Sequence, residues 1–334
     1  MTLPPGLTAS PLDVDDPAQV DAAARVRIAG DLAAVGWTNE TRESVLAALV
    51  SPIAWPEQHR LVHDRDGAVG LLIAERISSR REVFLDVAAV GAMATGIERA
   101  LIEEGLAAVR RLAAADDGCR PVAEPYLPND GIWQVVTAGW DVEEDYFAVL
   151  DALGFRPIRR FWRMRWDLAA GAPAHPPAPA GTTRRVVDGD EDRRLLHRLF
   201  EESFAEHFGA HARPFEVWIE ELEGSAGVDP SRWWIAEVNG MPAGLCILDD
   251  SKASFGDGYV RTLGVVPSAR GHGVARWLLA CAAADAVARG RTGLALAVDG
   301  ENTTGATDLY ESVGFVIRQV IDVWCCPIMP RDDG

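Results

Sequence analysis

The residues best suited to chemistry form one short loop, Arg270-Gly-His-Gly273-Val-Ala275, between an apolar run and a helical pattern. The first amides of a helix have no partners inside it, and the helix dipole adds partial positive charge, so phosphate groups bind well there. Gly271 and Gly273 permit a close backbone approach and positive φ angles, and Arg270 adds a guanidinium suited to phosphate oxygens. The loop therefore predicts a site for a phosphorylated ligand.

The elements around the loop are also readable from the sequence. Residues Tyr259 to Val266 are rich in β-branched and apolar side chains, which predicts a strand that Pro267 ends. Apolar residues then recur at helical spacing until Gly290, which predicts a helix to about Arg289. A second buried strand is predicted from Gly293 to Val298. Asn239-Gly240 between two apolar runs predicts a hairpin.

The loop resembles the acyl-CoA signature of the GNAT acetyltransferases, Gln/Arg-x-x-Gly-x-Gly/Ala, at every defined position. Further along, the stretch Leu309-Tyr-Glu-Ser-Val-Gly-Phe315 resembles the closing motif of the same family. The resemblance covers roughly Thr182 to Pro327. It implies an α/β fold with a mixed sheet, acetyl-CoA as co-substrate, and acetyl transfer by direct attack of a primary amine of a small molecule. The five cysteines include no Cys-x-x-Cys pair and no histidine is spaced to form a zinc site with them, so we expect no metal.

The resemblance also implies roles for individual residues. Tyr310 is expected to be the general acid, because a phenol with an ordinary pKa of about 10 keeps a proton for the departing thiolate. The expected acetyl-CoA contacts are Leu263, Val265, Arg270, Gly271, His272, Gly273, Val274, Ala275 and Asn302. Glu202, Glu206 and His207 are expected to border the acceptor cleft. The general base stays open: Glu202, Glu206 and His207 are candidates, and Asp249 and Asp250 are the alternatives to them.

A proline- and alanine-rich segment, residues 169–181, separates two halves of the chain. Leu150-Asp-Ala-Leu-Gly-Phe155 aligns with Tyr310-Glu-Ser-Val-Gly-Phe315, so we expect two tandem GNAT domains, residues 1–168 and 182–334. The first half has Gly91-Ala-Met-Ala-Thr-Gly96 in place of the loop and Leu150 in place of the tyrosine, which predicts a degenerate N-terminal domain. This arrangement is similar to mycothiol synthase-like actinobacterial acetyltransferases.

Composition limits the partners and the location. The net charge of −18 disfavours nucleic acid and favours a cationic substrate such as an amine. No apolar run approaches the ~18 residues of a membrane span and no signal peptide is recognisable, so we expect a cytoplasmic protein, monomeric or homodimeric, that does not contact membranes. Two alternatives stay open, a non-catalytic acyl-CoA-binding module and a transferase for a longer acyl donor.

Overall fold

A computed structural model of the chain contains two compact units. Unit 1 comprises Met1–Phe161 and Val320–Gly334, and unit 2 comprises Trp162–Gln319. The structure describes all residues except 39, 121, 123, 124, 127–130, 171–176, 206–211, 226, 302–304 and 330–334, and the side chain of residue 79. Packing assigns the chain from Val320 onward to unit 1 and begins unit 2 at Trp162, whereas the prediction from the linker divides the sequence at residues 169–181.

Unit 1 is built on a sheet in the order β1-β2-β3-β4-β5-β12. Its elements are β1 (Thr8–Pro11), α1 (Pro17–Val35), α2 (Arg42–Leu49), β2 (Arg60–His63), β3 (Ala68–Ile77), β4 (Glu82–Ala89), α3 (Ala94–Ala114), β5 (Trp133–Trp140), α4 (Glu144–Ala152), the first part of β6 (Arg156–Asp167) and the last part of β12 (Phe315–Ile328). Strand β12 pairs antiparallel with β5 from Ile321 opposite Trp140 to Ile328 opposite Trp133. The chain thus completes this sheet with its final strand.

Unit 2 repeats the same succession of elements. They are β7 (Thr182–Val186), α5 (Gly189–Phe204), α6 (Phe215–Glu223), β8 (Val228–Val238), β9 (Met241–Asp249), β10 (Asp257–Val265), α7 (Val274–Ala288), β11 (Gly293–Asp299), α8 (Ala306–Val313) and the first part of β12. The strand order is β6-β11-β10-β9-β8-β7. Each unit therefore follows the path strand, two helices, three strands, helix, strand, helix, strand, which confirms the expected α/β fold and the duplication.

In unit 2, the hairpin turn at Asn239-Gly240 and the end of the helix before Gly290 lie where the sequence predicts them. Asn239 and Gly240 have φ angles of 53° and 78°, as a two-residue hairpin turn between β8 and β9 requires. Helix α7 ends at Ala288, and Gly290 follows with a φ of 74°. The helix packs Val274, Leu278, Cys281 and neighbouring residues into a core cluster with β9, β10 and β11.

The five cysteines are free, and all but the half-buried Cys119 are buried. They act as small apolar side chains, as their scattered positions predict. Among the helices in the described residues, none combines the length and the apolar character needed to cross a bilayer.

Candidate functional site

Strands β10 and β11 diverge in the middle of unit 2. They pair in parallel only from Asp257 opposite Gly293 to Val260 opposite Leu296, although β10 continues to Val265 on its β9 side. The β9 register shifts between Val260 and Thr262, so Arg261 is an extra, bulged residue. Beyond Val260, the described part of β11 pairs with neither Leu263 nor Val265, so this edge of β10 has no neighbouring strand partner there. An extended ligand could pair with this edge as an added strand does.

The loop after β10 has the backbone geometry of an anion cradle. Gly271 and Gly273 are exposed and adopt φ angles of 78° and 80°, which only glycine adopts without strain. Gly273 precedes α7 and offers no side-chain cap. In the described chain, the amides of residues 271–275 have no hydrogen-bond acceptor. A Cβ at Gly271 would project into open space, with no atom within 4 Å. These free amides and the open approach fit a diphosphate.

The Arg270 side chain bonds two backbone carbonyls outside the loop and so holds the loop in place. Its Nε donates to the carbonyl of Val265 at 3.2 Å, and its Nη2 donates to the carbonyl of Ser203 at 3.1 Å. The guanidinium thus ties the loop to the ends of β10 and α5. Val274 is buried in the core and anchors the start of α7. The exposed His272 ring lies with its Nδ1 2.9 Å from the carbonyl of Arg270.

Tyr310 lies on α8, within the core cluster against which Leu263 and Val265 also pack. Its side chain is only 9% exposed, and its ring meets that of Phe315 edge-on at 5.8 Å. Burial, with a smaller effect of Cys246, raises the pKa of Tyr310 to about 12. The hydroxyl therefore stays protonated through the physiological range.

The glycine of the closing motif has a physical explanation. Gly314 ends α8 with a φ of 116°. A Cβ at this position would lie 2.6 Å from Nε1 of Trp166, so the close approach of the indole also requires glycine. Phe315 then starts β12 and packs against Trp166 with ring centroids 5.6 Å apart. The Gly-Phe pair thus fixes the helix that presents Tyr310.

The expected acceptor-side residues are placed only in part. Glu202 is exposed in the last turn of α5. Glu206, His207 and the expected acetyl-CoA contact Asn302 lie outside the described residues.

Both aspartates that are alternatives for the general base form ion pairs with arginines. Asp249 is 1% exposed and accepts hydrogen bonds from Nε of Arg261 at 2.6 Å and from the Ser251 amide at 2.8 Å. Asp250 accepts from Nη1 of the buried Arg232 at 3.0 Å and pairs with Arg291 at 3.3 Å. Both carboxylates therefore form ion pairs with arginines, which argues against either of them as the general base.

Among its described residues, unit 1 has neither the glycine pair of the loop before α7 nor a tyrosine at the position that corresponds to Tyr310. Gly91 has a φ of 86°, but Met93 rather than a second left-handed glycine precedes α3. Leu150 is fully buried on α4. Tyr146 lies one turn earlier, and its hydroxyl is 2.7 Å from that of Thr137. Unit 1 therefore has the same order of helices and strands as unit 2 but has Met93 in place of the second glycine and Leu150 in place of the tyrosine, as the sequence of the first half predicts.

Three residues of the site were not identified from the sequence. Arg261 forms the bulge, and its signal is the pair of successive polar residues Arg261-Thr262 between the apolar residues Val260 and Leu263. Ser203 supplies the carbonyl that holds Arg270. Arg276, in the first turn of α7, bonds the Ser312 hydroxyl at 2.7 Å and adds positive charge near the cradle. The last two contacts depend on tertiary packing, which local patterns do not show.

Comparison with known proteins agrees with this geometry. The model of the acetyltransferase (GNAT) family matches residues 194–315. Mycothiol acetyltransferase of Beutenbergia cavernae is 32% identical over 175 residues, which is 49% of this chain and 58% of that protein. Mycothiol acetyltransferase of Salinispora arenicola is 33% identical over 174 residues, 49% of this chain and 53% of that protein. The chain therefore spans little more than half the length of these curated relatives.

Solved structures resemble the whole chain. A GCN5-related N-acetyltransferase from Sphaerobacter thermophilus superposes with a TM-score of 0.80 at 24% identity, covering 98% of each chain. A tandem GNAT protein from the clavulanic acid biosynthesis pathway superposes with a TM-score of 0.69 at 17% identity, covering 98% of this chain and 100% of that one. At these identities the likeness concerns the fold.

Proposed function

Because the chain belongs to the GNAT superfamily and has two tandem domains, we propose that unit 2 is an acetyl-CoA-dependent N-acetyltransferase acting on a primary amine of a small molecule. The observation that carries the proposal is the set of unpartnered amides at residues 271–275, placed next to the diverging edge of β10.

Donor binding follows from these features. The amides of residues 271–275 and the start of α7 would hold the diphosphate, while Arg270 and Val274 keep the loop in place. The main chain at Leu263 and Val265 would pair with the pantetheine arm. Once bound, acetyl-CoA supplies an activated acetyl thioester.

The reaction proposed is direct attack by the amine on the thioester, with both substrates bound together. Holding the two reactants together removes most of the entropic cost of their meeting. Tyr310 donates a proton to the departing sulfur, and its raised pKa keeps that proton available at every physiological pH. The amine must lose its proton before or during its attack on the thioester, and the identity of the base that accepts this proton stays open.

The acceptor is proposed at the level of a class. A net charge of −18 attracts cationic amines. Glu202, at the exposed end of α5, is proposed to border the acceptor site, together with Glu206 and His207. The relatives are named mycothiol acetyltransferases, so a mycothiol precursor amine is the first acceptor to test, beside a panel of unrelated amines.

The test is an assay of free thiol released from acetyl-CoA in the presence of each amine. Tyr310→Phe should lower kcat by about 10² to 10⁴ and leave the Kd for CoA near that of the wild type. Tyr146→Phe, on the corresponding helix of unit 1, is the matched control and should keep full activity. CoA binding without turnover on any amine would favour a binding module. Full activity of Tyr310→Phe would remove the assigned proton donor.

A further inference from the structure

Strand β11 has small side chains on one face of the unit 2 sheet. Its residues Leu294, Leu296 and Val298 are buried in the core cluster that includes α7. Side chains alternate between the two faces of a strand, so Ala295 and Ala297 lie on the opposite face. Ala297 is exposed and Ala295 is half-buried. Only methyl groups therefore occupy these two positions of β11, which leaves room for a ligand on this face.

Tyr259 of β10 borders the two alanines. It lies opposite Ala295 in the parallel ladder with β11. The residue is half-buried, and its hydroxyl makes no hydrogen bond within the described part of the chain. Nor is this hydroxyl among the described side-chain atoms that are both sealed from solvent and unpartnered. A ligand that lies over the alanines can therefore accept a hydrogen bond from Tyr259.

Strand β6 places arginines on the same face. Its alternate residues pack in or against the core cluster on the α7 face: Trp162, Met164 and Trp166. Arg163 and Arg165 therefore lie on the face of the alanines. Arg165 is bonded to Asp257 at the start of β10, with its Nε 3.0 Å from both carboxylate oxygens. This ion pair links β6 to β10 across β11.

The charges nearest to the Tyr259 hydroxyl are mainly positive. Burial raises the pKa of Tyr259, Arg163 and Arg261 act against this rise, and Asp249 has a smaller effect than either arginine. The Asp249 carboxylate accepts a hydrogen bond from Nε of Arg261 at 2.6 Å, which compensates its charge. Tyr259 thus stays a protonated donor in positive surroundings, although the whole chain has a net charge of −18.

The distance from Tyr259 to the proposed donor site suits a small acceptor. Leu263, whose main chain would pair with the donor, lies four residues after Tyr259 on β10. A strand rises about 3.3 Å per residue and the bulge at Arg261 takes up one residue, so the separation is about 10 Å. A small molecule can span this distance with its amine at the donor and a second group at Tyr259.

From this arrangement we infer that the acceptor amine of unit 2 carries a second, negatively charged group, a carboxylate or a phosphate, and that Tyr259 and Arg163 bind this group over Ala295 and Ala297. The inference rests on the proposed function, since it needs acetyl transfer in unit 2. A hydroxyl donor beside a guanidinium matches an oxyanion, which accepts charge-assisted hydrogen bonds. Tyr259 and Arg163 are then residues that determine acceptor specificity.

The test compares the KM values of matched amines in the thiol-release assay on the full chain. Unbranched ω-amino acids and aminoalkyl phosphates that span about 5–10 Å are each paired with the alkylamine of the same length. At the fitting length, the wild type should have a KM about tenfold or more lower for the anionic amine. The net charge of −18 alone would favour the alkylamine, so this preference reports local recognition. The better of the two anions distinguishes a carboxylate from a phosphate.

Variants locate the recognition. Tyr259→Phe should raise the KM of the anionic amine about tenfold to hundredfold, the loss of one hydrogen bond to a charged group, without raising that of the alkylamine. Tyr146→Phe in unit 1 is the matched control and should change neither KM. Ala297→Glu should have a KM for the anionic amine about tenfold above that of Ala297→Gln, which adds the same bulk without charge. Arg163→Lys should keep more of the preference than Arg163→Gln.

The outcomes separate the inference from the proposed function. The inference is overturned if the wild type has equal KM values within every pair, if Tyr259→Phe raises both KM values of a pair equally, or if Ala297→Glu and Ala297→Gln are alike toward the anionic amine. In each of these cases thiol is still released, so the proposed function stands. If no amine releases thiol from acetyl-CoA, the proposed function itself fails.

Discussion

Replacing Gly271 by alanine tests separately two reasons for a glycine in this loop, the left-handed backbone conformation and the access of a ligand to the amides. Alanine at a φ of 78° should cost about 1–2 kcal/mol of unfolding free energy, because an L residue in the left-handed region is strained. No atom lies within 4 Å of the added methyl, so packing adds nothing. The methyl would instead stand where the ligand approaches the amides. Losing one hydrogen bond to a charged phosphate costs about 1.5–3 kcal/mol, which weakens CoA binding roughly tenfold to hundredfold.

Gly290, just beyond the other end of α7, is the matched control. It has a φ of 74° and no neighbour within 4 Å of a built Cβ. Gly290→Ala should therefore lose the same unfolding free energy in urea and bind CoA like the wild type. The two variants are compared by denaturation and by calorimetric titration with CoA. Unchanged affinity in Gly271→Ala, or an equal loss in Gly290→Ala, would refute the placement of the diphosphate on this loop.

Three further predictions concern charge and protonation. The pKa of Tyr310 is raised to about 12. The loss of its proton should therefore not lower kcat of the wild type below about pH 10.5. A decline of kcat in that range that is absent from Tyr310→Phe would contradict this prediction. Burial, with the nearby Glu143 and Asp145, raises the pKa of Glu98 to about 7. The folded state of unit 1 therefore loses stability as pH rises from 4.5 through 7, and Glu98→Gln should gain up to about 3 kcal/mol of unfolding free energy at pH 8 and nothing at pH 4 in denaturant titrations. Equal gains at both pH values would contradict this origin. Arg261→Ala leaves the buried carboxylate of Asp249 without its arginine and should lose about 3 kcal/mol of unfolding free energy; a loss below 1 kcal/mol would show that solvent reaches the carboxylate.

The sequence predicts the loop and the hairpin well because both depend on local backbone chemistry. Gly271, Gly273 and Gly240 have the positive φ angles that their positions imply, and α7 ends where Gly290 predicts. The likeness of the two halves is also local, since each repeats the same order of short patterns. Those patterns are sufficient to identify the fold and the backbone conformation of the loop before α7.

Tertiary contacts of the site could not be predicted in the same way. Nothing in Phe315–Ile328 indicates that its last residues pair with β5 of unit 1, since strand pairing depends on which edge is available rather than on the strand's own residues. Arg270 resembles a phosphate ligand in the sequence, yet its guanidinium bonds the carbonyls of Val265 and Ser203.

The central claim is that the free amides at the start of α7 hold the diphosphate of CoA, in unit 2 alone. Calorimetric titration of the wild-type chain with CoA tests it most directly through the stoichiometry. The account predicts one CoA per chain, because the loop before α3 lacks the second left-handed glycine. An absence of binding, or two equivalent sites per chain, would contradict it.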